Sequence, residues 1–335
     1  MKKFFSILLA LAMTVSVFAI AGCGAKSEEV KFGMGVYSAY SSVKSASEEA
    51  NGSAEVTHTV AAVILDKDGK IVDVEIDAAN NKGEYTVNGE YVVADGYKTK
   101  EEKGSDYGMV AYAGSKLEWN EQVDAFEELV KGKTADEAKT LVSGDGYYGT
   151  DDVISAGCTI GVSDFVKAVE KACANATVCT AGKVDLELGV VSFQKDCKNA
   201  SEEADGVNEI DTIFAAALVG EDDKVVVMTI DSSVAKFTFN VKGEATLDAT
   251  TAISTKNELG ENYNMSKYGA DLNGDGVVKE WNEQAAALAN LCVGKTASEI
   301  AGLAIDTGYG SADVQTAGCT IKVSEMVEAA VKAVD

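Results

Sequence analysis

The chain has 335 residues, 54 of them acidic and 29 basic, for a net charge of −25. A field of that sign repels phosphate backbones and anionic headgroups, which sets aside nucleic-acid binding and charge-driven membrane adsorption. One histidine and no proline set aside a His-built triad, a His-ligated metal site and a rigid Pro-rich stalk.

Lys2 and Lys3 precede an apolar run from Phe4 to Met13, and Ile20-Ala21-Gly22 stands directly before Cys23. This pattern reads as a signal peptide over 1–22. The run is short and ends in small residues, unlike a membrane span with charged flanks. Ala-Gly-Cys resembles the bacterial lipobox, in which the cysteine thiol receives diacylglycerol. The resemblance implies a lipid anchor through Cys23 to the cell membrane, on its extracytoplasmic face, with 23–29 as a polar tether. Six further cysteines, Cys158, Cys173, Cys179, Cys197, Cys292 and Cys319, could pair outside the membrane or stay thiols in an anaerobic habitat. Spacing does not choose between these.

Internal repetition organises the rest. Gly35-Val36-Tyr37-Ser38 returns as Gly189-Val190-Val191-Ser192, 154 positions on, and Asp68 to Asp77 returns as Asp222 to Asp231 at the same spacing. Glu118-Trp119-Asn120-Glu121-Gln122 and Gly132-Lys133-Thr134-Ala135 return 162 positions on, and Ala156-Gly157-Cys158-Thr159-Ile160 returns 161 on as Ala317-Gly318-Cys319-Thr320-Ile321. Shared blocks in one order place two copies at 30–177 and 178–335.

In chain order, Glu55 to Asp66 and Lys70 to Ala78 read as strands around an Asp66-Lys67-Asp68-Gly69 hairpin turn. Tyr85 to Val93 reads as a further strand. Thr212 to Gly220, Lys224 to Asp231 and Ala235 to Val241 are the counterparts. Trp119, Val123, Phe126 and Val130 then recur on one helical face, as do Trp281, Ala285, Leu288 and Cys292. Thr134 with Glu137, and Thr296 with Glu299, form capping boxes for the next helices. Ser163 and Ser324 are expected to cap the final helices. The fold class is α+β: two tandem copies of a small antiparallel sheet with helices packed on one face.

Chemistry-bearing residues are few. His58 lies in a strand and its counterpart is Thr212, which favours a packed residue over a catalyst. Gly132-Lys133-Thr134 lacks the upstream glycines of a phosphate loop. The segments Gly157-Cys158-Thr159 and Gly318-Cys319-Thr320 combine a glycine with a small hydroxyl residue before a helix. That arrangement either presents donors to a phosphate or makes a tight turn whose cysteine fills a core hole. In the second copy alone, Asp271, Asn273 and Asp275 with Gly276 have the oxygen spacing of a calcium loop. Asn282 stands where the usual bidentate carboxylate would, so a solvated acidic turn is the competing reading.

The Gly35-Val36-Tyr37 strand, the Lys67-Asp68-Gly69-Lys70-Ile71-Val72 hairpin and the Ala156-Gly157-Cys158-Thr159 segment together resemble the FMN-binding domain family. The paired layout also resembles duplicated lipoproteins of anaerobic gut bacteria. The family carries Ser-Gly-Ala-Thr where this chain has Ala156-Gly157-Cys158-Thr159, and Asp152 stands one residue further upstream than the family pattern. The resemblance implies FMN held at Gly157, Cys158 and Thr159 and at Gly318, Cys319 and Thr320, with Trp119, Trp281, Tyr148 or Tyr309 against the ring. It also implies electron transfer with a membrane redox complex. Against this electron carrier stands a non-catalytic surface lipoprotein whose twin domains bind a small ligand or a protein partner.

Overall fold

The structure is a computed structural model that describes residues 27–269 and 277–335. The anchor residue Cys23 and the calcium-loop residues Asp271, Asn273 and Asp275 lie outside the described residues.

Strands β1 (Glu28–Lys44), β2 (Gly52–Leu65), β3 (Ile71–Tyr85), β4 (Tyr91–Val92) and β5 (Thr177–Ala181) form one antiparallel sheet in the order β4-β3-β2-β1-β5. Strands β6 (Val184–Gln194), β7 (Gly206–Gly220) and β8 (Val225–Phe239) form a second, in the order β6-β7-β8. The β2–β3 turn closes as its residues dictate. Asp66 Oδ1 accepts from the amides of Asp68 and Lys70, each at 2.9 Å, and Gly69 takes a φ of 77°. In the second copy the same position is Asp223, which holds a φ of 57° without glycine's freedom.

Two expected strands differ from those in the fold. Tyr85 to Val93 is not a separate strand: β3 runs unbroken to Tyr85, a turn follows, and β4 has only two residues. Likewise β8 continues through Ala235 to Phe239. The intervening asparagines and serines looked like a break, yet they stay paired because a partner strand lies alongside throughout.

Six α-helices lie between β4 and β5: α1 (Lys100–Lys103), α2 (Met109–Ala113), α3 (Trp119–Val130), α4 (Ala135–Lys139), α5 (Asp151–Ala156) and α6 (Ser163–Asn175). Their counterparts are α7 (Lys256–Leu259), α8 (Met265–Tyr268), α9 (Trp281–Cys292), α10 (Ala297–Ala301), α11 (Ala312–Thr316) and α12 (Ser324–Lys332). Thr134 and Thr296 cap α4 and α10 in reciprocal boxes with Glu137 and Glu299. Ser163 and Ser324 are not caps. They are the first helical residues, and Val162 and Val323 occupy the cap positions without a side-chain bond. These helix starts sit against the core, where a buried valine gains more than an exposed cap would.

Alternation places each sheet between two layers. On β2, Ala61, Val63 and Leu65 face the helices, while Val60, Ala62 and Ile64 face the other sheet. Across that second interface stand Leu186, Val190, Phe214 and Leu218. The result is a helix–sheet–sheet–helix stack. Helix α6 lies so close to β1 that a Cβ on Gly35 would sit 2.2 Å from the Ala172 amide nitrogen, and one on Gly189 would sit 2.1 Å from the Ala329 carbonyl oxygen.

Contacts between the copies are reciprocal, as a pseudo-twofold requires. Ala46 donates its amide to Gly243 O and Ala200 donates its own to Gly89 O, both at 2.7 Å. Lys171 on α6 pairs with Glu258 on α7 at 2.6 Å, and Lys332 on α12 pairs with Glu102 on α1.

Candidate functional site

The repeated Glu-Trp-Asn-Glu-Gln block opens α3 and α9, and its side chains have separate tasks. Glu118 accepts from the amides of Met109 and Val110 at 2.8 and 3.1 Å, closing the N-terminus of α2. Glu280 does the same for Met265 and Ser266 at 2.9 and 3.1 Å. Free helix N–H groups need such acceptors, and a carboxylate also suits the helix dipole. Trp119 and Trp281 are buried in the two helical cores.

Gln122 and Gln284 reach the glycine–cysteine–threonine segments. Thr159 donates both its amide and its hydroxyl to Gln122 Oε1, each at 2.9 Å. Thr320 donates its amide to Gln284 Oε1 at 2.8 Å and its hydroxyl at 3.2 Å. Gln122 Nε2 in turn donates to Ser115 Oγ and Leu117 O, both at 3.1 Å, and Gln284 Nε2 donates to Lys279 O at 3.0 Å. Each glutamine clasps two connections onto the start of one helix.

Gly157 follows the C-terminus of α5 with a φ of 116°, and Cys158 returns its amide to Val153 O at 3.2 Å. Gly318 and Cys319 repeat this, with a φ of 100° and a 3.1 Å bond to Val314 O. The segment is thus the carbonyl end of a short helix, the pole that disfavours an anion. Cys158 and Cys319 are fully buried, and burial pushes both thiols up to about 11. They are core residues, not nucleophiles. Thr159 remains at the surface even though its donors are engaged. The two segments belong to the two outer helical layers and are not brought together. Tyr148 packs edge-on against Tyr147, with ring centroids 4.8 Å apart.

A second duplicated cluster was not evident from motif reading. Lys100 follows the capping residue of α1 and places Nζ 5.2 Å from the Trp119 ring and 5.3 Å from Tyr107. Lys256 repeats this at 5.1 Å from Trp281 and 5.4 Å from Tyr263. Burial pulls the Lys100 amine down to about 8 against the opposing charge of Asp77, and Lys256 is lowered for the same reason. Asp77 and Asp231 anchor α1 and α7 by accepting from Glu101 and Asn257 amides at 3.2 and 3.0 Å. Burial raises the carboxyl of Asp231 to about 6. The legible signal was the repeated Thr-Lys pair at 99–100 and 255–256, with Glu three residues after each threonine.

His58 is fully buried between the sheets, its Nδ1 2.7 Å from Ser38 Oγ and its Nε2 unpartnered. Burial depresses its pKa to about 3, so it is neutral. Among the described residues, no group of three or more His, Cys, Asp or Glu is placed to hold a metal, and no helix is long and apolar enough to cross a membrane.

Comparison of the chain with family models, with curated proteins and with solved structures finds no match.

Proposed function

We propose that this protein is a lipid-anchored, extracytoplasmic lipoprotein that binds a small ligand without transforming it. The supporting observation is the Gln–Thr clasp. In both copies the threonine donors of the FMN-like segment are taken by Gln122 and Gln284, and the glycine and cysteine amides are taken by carbonyls of the short helix before them. These residues do not fit a phosphate or a phosphoester, because no donor is left to receive it and the threonine hydroxyl faces an amide oxygen, not a base that could take its proton. Buried thiols and a neutral buried imidazole likewise offer no acid–base pair.

The test is to express the full chain with FMN supplied and record the visible spectrum of the purified protein. A colourless product that takes up no added FMN is expected; stoichiometric bound flavin would overturn the reading. Anchoring is tested by Cys23→Ala, which should move the protein from the membrane to the soluble fraction.

A flavin carrier is the second reading. It is favoured by a groove of about 450 Å³ along α9 beside Ala317, lined by Lys279, Asn282, Ala286, Ala287 and Leu291. Its apolar wall suits a flat ring, and the spectrum above decides between the two.

A further inference from the structure

We propose that the second domain holds a site for a small zwitterion of amino-acid type, in a polar pocket lined by Glu209, Asp211, Lys195, Lys236 and Tyr263. The proposal rests on the ligand-binding reading above and names the ligand class. The pocket volume is about 400 Å³, within the range of small-molecule sites.

Glu209 and Asp211 are alternate residues of β7, so both project from its helix-bearing face. Asp211 is only 2 % exposed, and a carboxylate so deep is costly unless fully partnered. Its partners fall short. Lys195 Nζ and Lys256 Nζ form ion pairs with Oδ2 that are long, at 3.6 Å each, and Oδ1 has no hydrogen-bond partner. Glu209, in contrast, is paired with Lys236 at 2.9 Å. The pocket is therefore lined by a buried carboxylate whose Oδ1 is unpartnered and closed to water, and by the exposed ammonium groups of Lys195 and Lys236. A molecule that brings an ammonium to Asp211 and a carboxylate to those lysines matches both. A plain anion leaves Oδ1 unmatched, and a plain amine leaves the lysines without a new partner.

The first domain shows what the pocket adds. It keeps Glu55, Lys82, Lys100 and Tyr107 at the positions of Glu209, Lys236, Lys256 and Tyr263, but has Thr57 for Asp211 and Ser41 for Lys195. There Thr57 donates to Asn80 Oδ1 at 3.3 Å, and Lys82 turns to Glu84 at 2.7 Å. A buried carboxylate is not needed to build this fold, since its counterpart is a threonine. Burying one with incomplete pairing lowers stability, and a ligand that completes the pairing gives that cost a purpose.

Calorimetric titration of the full chain with glycine, L-alanine and L-glutamate tests the site, with acetate and methylammonium in separate arms. Binding of at least one amino acid with a Kd below about 1 mM is expected, without comparable heat from acetate or methylammonium. Asp211→Asn and Lys195→Met should each weaken it about tenfold or more. Thr57→Val and Ser41→Ala, in the first domain, should leave it unchanged. Lys195 is exposed, so its variant folds even where the Asp211 variant does not. Silence toward every amino acid, equal binding of acetate or methylammonium, or binding that survives Lys195→Met overturns the site. The spectrum of the same preparation separates the two proposals. A flavin-coloured protein that binds amino acids overturns the non-catalytic reading and supports the site, whereas a colourless one that ignores amino acids overturns the site alone.

Discussion

Tyr85 and Phe239 hold the same place in the two copies and stack on each other, with ring centroids 4.4 Å apart and planes 10° from parallel. Only residues beside a pseudo-twofold axis can be both counterparts and neighbours. Each ring also covers a glycine of its own sheet: a Cβ on Gly52 would lie 2.2 Å from Tyr85 Cε2, and one on Gly206 would lie 2.3 Å from Phe239 Cε2. The two sheets are thereby fixed in one register, and the copies form one body, not two tethered modules.

The axis makes a knob-and-hole pair testable. Phe237 is fully buried and fills the space over its own counterpart, Gly83, where a Cβ would come within 2.2 Å of Phe237 Cδ2. Phe237→Gly should lose about 3–5 kcal/mol through the cavity it leaves, and Gly83→Phe alone should lose a similar amount through overpacking. The double variant exchanges knob and hole and should recover about half of the summed loss. Urea denaturation of the three variants provides the measurement; a double variant as unstable as the sum would show that the symmetry carries no energy.

Gln122→Ala and Gln284→Ala should each cost about 1–2 kcal/mol, because each glutamine closes bonds to two connections. The amide of Thr159 should lose its hydrogen-exchange protection in the first variant and that of Thr320 in the second. The two costs should add, since the residues lie in separate helical cores. Unchanged protection would mean that the clasp is not formed in solution.

Glu127 is 8 % exposed and accepts from the Ile76 amide at 2.7 Å. Burial and the neighbouring Glu75 raise its pKa to about 9, and burial, followed by Glu187, raises Glu75 to about 7. An unfolded glutamate releases its proton near 4.5, while the folded one keeps it, so this pair lowers stability as pH rises from there toward 9. Glu127→Gln retains the acceptor without the charge. It should be more stable than the parent by about 3 kcal/mol at pH 8 and nearly equal to it at pH 4, read by denaturant midpoints.

His58 acts in the opposite direction. Its folded pKa of about 3 lies below the ordinary value of 6.5, so its contribution is complete above pH 6.5 and is lost as pH falls toward 3. No acidic side chain is bonded to the ring, which meets Ser38 and the edge of Phe214. His58→Thr, the residue that the second copy carries at this place, should shift the midpoint of acid unfolding down by about one pH unit. An unmoved midpoint would assign acid lability to other groups.

The elements legible in the sequence are those whose signals are local. The hairpin at Asp68-Gly69, the Trp119 and Trp281 helix faces and the Thr134 and Thr296 caps follow from contacts within a few residues along the chain. Strand continuation through Asn80 and Asn81 to Tyr85 is not legible in the sequence, because those polar residues look like a break. In the fold, Asn81 Nδ2 donates to Ser192 and Thr212 of the other sheet at 2.9 and 3.0 Å. Ser163 has the sequence signature of a cap, a hydroxyl before an acidic residue, yet Val162 holds that position. The tertiary core instead claimed the preceding valine.

By itself, the sequence determined the duplication, the α+β character and the apolar faces of the Trp119 and Trp281 helices. Those are properties of spacing and period, and they hold whatever lies opposite. Only the tertiary structure decided that each sheet's second face is covered by the other copy, that the Thr159 and Thr320 donors are spent on Gln122 and Gln284, and that Asp211 is buried with one oxygen unmatched. The reason is that an apolar face or a polar donor is written in one residue, whereas its partner lies tens to more than a hundred residues away, and chain order carries no record of which distant group arrives there.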